Sequence, residues 1–191
     1  MPEGLLIIRA VLGLLLFAHG TQKLFGWYQG HGLDGTGTMF DQIGHRPGRQ
    51  MARVAGMSEA GGGLLLTVGL ITPLGAAMVM GTMLVAAVSV HAPQGLWNTN
   101  GGYELPLVYA TTACGLGFTG AGGWSIDHAA GIPWTSGAGP GCLAIVLALV
   151  TGGITLARRT RALEADAAYP AEPQPATDQS VSDETAAGAR R

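Results

Sequence analysis

Charged side chains are scarce through most of this sequence. Residues 1–157 hold only Glu3, Arg9, Lys23, Asp34, Asp41, Arg46, Arg49, Arg53, Glu59, Glu104 and Asp127. Cysteine is limited to Cys114 and Cys142, with no CxxC pair, which excludes a disulfide framework; both read as small buried thiols, with a pairing between the two left open. Aromatics make up 6% of the chain, and no basic patch or nucleic-acid motif is present, so no nucleic-acid partner is expected. The first apolar run has no basic n-region and no clear small-residue cleavage site, so it reads as a retained span rather than a signal peptide. No haem, flavin or iron–sulfur motif is recognisable, and the residues argue against haem. Met80 and Met83 share a helical stripe but read as core packing, and no metal site is expected.

What is present is apolar and small. Hydrophobic residues make up 48% of the chain and glycine 32 of its 191 residues. Small residues let membrane helices approach closely, where no hydrophobic drive acts between them. The apolar runs predict five spans: 5–25, 51–71, 74–90, 105–118 and 138–157. About 20 apolar residues cross a bilayer core of roughly 30 Å, so the fourth run is short. The implied fold is all-α, a polytopic transmembrane helical bundle over residues 1–157. Residues 26–50 read as a loop opening on Trp27 and Tyr28, placed for a headgroup belt. Thr72-Pro73 breaks the chain into a tight hairpin. Residues 158–191, rich in Ala, Pro, Asp and Glu, read as a disordered tail.

Alternating spans send Lys23, Arg46, Arg49, Arg53, Arg158, Arg159 and Arg161 to one side and only Arg9 to the other. That bias assigns the basic side and the tail to the cytoplasm. Arg9, near the opposite edge, is expected to snorkel.

The same alternation brings the end of span one, the start of span two, the end of span three and the start of span four to one face. Those places carry Lys23, Glu59, His91 and Glu104. His19 and Lys23 are four residues apart and share a helical stripe with Gln22 beside them. Glu59 is flanked by Ala55, Gly56, Gly62 and Gly63, a surface over which another helix can close. An ionisable residue in hydrocarbon costs roughly 2.5–3.5 kcal/mol even on lenient insertion scales, so such a cluster marks either a site or a structural pair. His19, Lys23 and Glu59 are the candidate reactive groups, with His91, Glu104 and Gln22 as candidate ligand contacts. The expectation is that His19, Lys23, Glu59 and His91 converge. A structural pairing of Glu59 with Lys23 or His19 is the equal alternative.

These residues lie within familiar strings. LLLFAHGTQKLFGW (Leu14–Trp27), AGMSEAGGGLLLTVGLITPLGA (Ala55–Ala76), MLVAAVSVHAPQG (Met83–Gly95) and NGGYELPL (Asn100–Leu107) resemble the DoxX family of bacterial membrane proteins. GFTGAGGWSID (Gly117–Asp127) resembles that family's closing motif, with Ala121 where Pro is usual. The resemblance implies a four-helix membrane core, to which the fifth span and tail are additions. It also implies a bacterial cell-membrane protein linked to thiol or quinone redox and oxidative-stress defence. Relatives are associated with soluble oxidoreductase, sulfurtransferase or superoxide dismutase partners. The functional expectation is a quinone-linked redox subunit in the lipid bilayer. A non-catalytic scaffold and a small-solute transporter are the alternatives, and self-association is left open.

Overall fold

The computed structural model describes residues 2–168. Among these residues there are helices and no strands. α1 (Pro2–Phe25), α3 (Gly48–Val68), α4 (Thr72–Ala86), α5 (Glu104–Thr119) and α7 (Ala138–Ala168) are the long elements. α2 (Gly32–Gln42) and α6 (Ile126–Ala129) are short connectors. A π turn, Ala87–His91, extends α4. Three stretches are long and apolar enough to cross a membrane: Pro2–Phe25, Thr72–Gln94 and Ala138–Ala168. α3 contains Arg49, Arg53 and Glu59, and α5 is 16 residues long.

Direction alternates along the long helices. Gly13 of α1 faces Gly63 of α3 while Gly20 faces Gly56, so α1 and α3 are antiparallel. Gly62 meets Met78 and Gly75 across the α3–α4 hairpin. Gly81 lies beside Ala148 and Leu84 beside Gly152, so α4 and α7 run parallel. The packing follows from missing side chains. A Cβ on Gly63 would stand 2.5 Å from the Gly13 carbonyl oxygen and 2.7 Å from the Phe17 nitrogen. α1 and α3 therefore pack backbone against backbone. The core that α4 centres is formed by Leu12, Leu16, Leu66, Val79, Met80, Met83, Ala113, Leu116 and Ala144. Met80 and Met83 are core residues, as the sequence reading expects.

Three expectations change. Residues 26–50 are not one loop, because Gly32–Gln42 forms α2. Leu33, Met39 and Phe40 supply apolar residues, and Gly44 at φ 87° follows the helix where the chain must turn. The last apolar helix does not stop at Ala157 but continues to Ala168, so residues 158–168 are helical rather than tail. At 1.5 Å per residue its 31 residues span about 46 Å, well beyond a hydrocarbon core. Three contacts hold the extension: Arg159 Nε donates to the Ile43 carbonyl at 2.8 Å, Leu163 packs on Gly44, and Asp166 pairs with Arg46 at 2.6 Å. The rest of the proposed tail, residues 169–191, lies outside the described residues. Finally, Cys114 is half-buried and Cys142 exposed on α7, and neither is in a disulfide. The expectation of two buried thiols fails at Cys142 because α7 turns that face away from its neighbours.

Candidate functional site at the basic end of the bundle

Lys23 sits in the last turn of α1 and Glu59 midway along α3. The antiparallel glycine seam aligns them. Gly20, one turn before Lys23, leaves no room for a side chain against Gly56 and Ala60. At that spacing Lys23 Nζ donates to Glu59 Oε2 at 2.5 Å. Glu59 is 3% exposed and Lys23 25% exposed. The carboxylate is therefore enclosed, and the ammonium forms its opening toward the surroundings. A charge-assisted bond of this kind is among the stronger hydrogen bonds, and removing one member leaves the other without its partner.

His19 is exposed on the same stripe of α1. Its Nδ1 lies 3.1 Å from Gln22 Oε1. Gln22 Nε2 donates to the Tyr28 carbonyl at 3.3 Å, which sets the amide with its oxygen toward His19. Facing an amide oxygen, Nδ1 carries a proton in this contact, and in the neutral form of the ring Nε2 is then the acceptor. Nε2 has no hydrogen-bond partner among the described residues. The His19 ring lies against Tyr109 of α5, with centroids 6.4 Å apart and planes inclined by 53°. Gln22, a candidate contact, thus becomes the group that orients His19.

His19 thus meets Gln22 and Tyr109 rather than Lys23 or Glu59, and His91 and Glu104 do not join the Lys23–Glu59 pair either. His91 closes the π turn, and its Nδ1 donates to the Gly101 carbonyl at 2.7 Å. Glu104 Oε2 accepts the Asn98 backbone N–H at 2.9 Å. Both brace the 92–103 connection. They lie at the expected end of the bundle, yet sharing an end does not bring them together. The sequence reading predicts the end from alternation, but a turn-rich loop offers its own donors and acceptors at closer range. The flanking glycines also divide their roles. Gly56 and Gly63 face α1, whereas Gly62 faces α4.

Three further polar residues, His45, Arg9 and Asp127, take roles that the sequence reading does not predict. At the same end, His45 is buried, with Nε2 2.8 Å from Ser89 Oγ in the π turn and its ring 5.7 Å from Phe40. Burial pushes its pKa down, and nearby Arg159 pushes the same way. At the opposite end, Arg9 does not snorkel. It is 1% exposed and donates to the Leu66, Thr67 and Trp124 carbonyls. The first two belong to the last turn of α3, where the negative end of the helix attracts a cation; the Leu66 carbonyl also accepts the Gly69 N–H at 3.1 Å. Asp127 does the reverse for α4. Its carboxylate accepts the Ile71 N–H at 2.7 Å, the Thr72 N–H at 3.0 Å and the Thr72 hydroxyl at 2.7 Å. These bonds secure Ile71 at φ 46°, a left-handed conformation that branched residues rarely adopt. The clue to Asp127 was its place in the closing motif; nothing in the sequence links Arg9 to it.

The fold and these clusters define an integral membrane protein, a helical bundle with one polar cluster at each end. Residues 4–92 match the model of the DoxX family. The match covers α1 to the π turn of α4 and stops before α5, short of the resemblance read as far as Asp127. No curated protein and no solved structure matches the chain.

Proposed function

We propose that this protein is a redox-associated membrane subunit whose Lys23–Glu59 site, with His19, binds a quinone or a similar headgroup. The observation that carries the reading is the 2.5 Å pair between an enclosed carboxylate and a quarter-exposed ammonium. A quinone carbonyl needs a donor, which Lys23 supplies. A quinol hydroxyl needs an acceptor, which His19 Nε2 supplies. Glu59 is the proton-holding group behind Lys23. Electrons would come from a partner protein or from substrate thiols. His91 and Glu104 take no part in this reading.

The test is Glu59→Gln, which keeps size and hydrogen bonding but removes the charge. Affinity for a soluble benzoquinone, measured by titration of the purified protein, should fall about tenfold, equivalent to about 1.4 kcal/mol. The thermal midpoint should stay close to that of the parent. A fall in midpoint in step with affinity would instead identify a pair that only holds α1 to α3. In that case the scaffold reading takes over, and co-purification with a soluble redox enzyme would be its support.

A further inference from the structure

We propose that the ligand of this site is an amphiphile that enters from the lipid, its apolar chain lying in the groove between α1 and α5 and its head reaching His19. The inference rests on the reading of the Lys23–Glu59 site given above. The groove has a volume of about 320 Å³ and is lined by Ile8, Val11 and Leu15 of α1 and by Val108, Tyr109 and Thr112 of α5. Ile8, Val11, Leu15, His19 and Gln22 follow one another at intervals of three or four residues. They therefore form a single stripe on α1, apolar at one end and polar at the other. Ile8 to His19 covers about 16 Å along the axis.

Tyr109 joins the two halves, because it lines the groove and its ring lies 6.4 Å from that of His19. Ile8, Val11, Leu15 and Val108 are exposed, so the groove opens sideways rather than into the bundle. An ordinary acyl chain would satisfy the apolar wall but not the unpartnered Nε2 at its head. In a medium without water, such a group favours a ligand with a hydrogen-bonding head. A second groove of similar volume, between α4, α5 and α7, is lined by residues such as Met80, Cys114 and Leu149 and has no such ring at its wall. It provides an internal control.

The probe is a benzoquinone bearing a ten-carbon chain with a terminal diazirine, used on the protein in phospholipid nanodiscs. Photolysis should label α1 or α5 near Ile8, Val11 or Val108, and excess unlabelled probe should suppress this while excess phospholipid should not. Val11→Trp should fill the groove and weaken the chained probe about tenfold, leaving chainless benzoquinone within about twofold. Labelling spread over the second groove and the outer face of α7 would mean a lipid annulus only and would overturn the inference. Equal loss of both probes in Val11→Trp would also overturn it. If chainless benzoquinone binds the parent protein and responds to Glu59→Gln but the chain labels no α1–α5 residue, the headgroup site stands and the groove falls. If neither probe binds the parent protein, both readings fail.

Discussion

At the scale of single residues, this bundle uses its few ionisable groups in three different ways. Lys23 and Glu59 satisfy each other across two helices. Arg9 and Asp127 satisfy the backbone at a helix end and a helix start. His45 is held as a buried ring against a hydroxyl. The last case has a pH consequence. His45 faces Ser89 on α4, Phe40 on α2 and Arg159 on α7, and burial lowers its pKa from the ordinary value of about 6.5. On acidification the unfolded chain therefore takes up this proton before the folded one does. The contribution of His45 is complete above about pH 6.5 and is lost as pH falls from there toward the folded value. Thermal midpoints of purified protein between pH 7.5 and 5.5 should fall, and His45→Gln should make that fall shallower. An unchanged slope in His45→Gln would show that other groups set it.

At the scale of elements, the α1–α3 seam is the feature on which the site depends. Gly13, Gly20, Gly56 and Gly63 put two backbones in contact, and that closeness lets a lysine at the end of one helix reach a carboxylate midway along the other. Gly63→Ala should clash with the Gly13 carbonyl and lower stability by about 1–3 kcal/mol, read as a fall in thermal midpoint. Gly115→Ala on α5, where a Cβ meets nothing within 4 Å, should leave the midpoint unchanged or raise it. Equal effects at the two positions would mean that the seam is not tight. The element legible only in part is α7. Its apolar stretch is plain in the sequence, but its end is not. Ala157 marks where lipid-compatible residues stop, whereas the helix continues because Arg159, Leu163 and Asp166 find partners on the α2–α3 connection.

At the scale of the whole molecule, the basic residues gather at the end formed by the close of α1, α2, the start of α3 and the extension of α7. Among the described residues, Arg9 is the one lysine or arginine at the other end. The positive-inside rule predicts that the first end faces the cytoplasm. In a background of Cys114→Ala and Cys142→Ala, Thr160→Cys should resist an impermeant thiol reagent in intact cells, and Ser136→Cys should react. The reverse pattern would invert the orientation. Trp27, Tyr28 and Trp97 at the one end and Trp124 and Trp134 at the other are all exposed, as headgroup belts require.

The amino-acid pattern alone determined the class of fold, the long helices, their alternation and the end at which Lys23 and Glu59 lie. Apolar run length and charge scarcity are properties of the chain read one segment at a time, and they answer directly to the thickness of a bilayer. Only the tertiary structure decided which of the groups at that end meet. Lys23 reaches Glu59 because glycines on two distant segments interlock, whereas His91 and Glu104 satisfy nearby loop atoms first. It likewise decided that Arg9 is enclosed and not snorkelling. Which carbonyls lie within its reach depends on where α3 ends against α1, and no single segment carries that information.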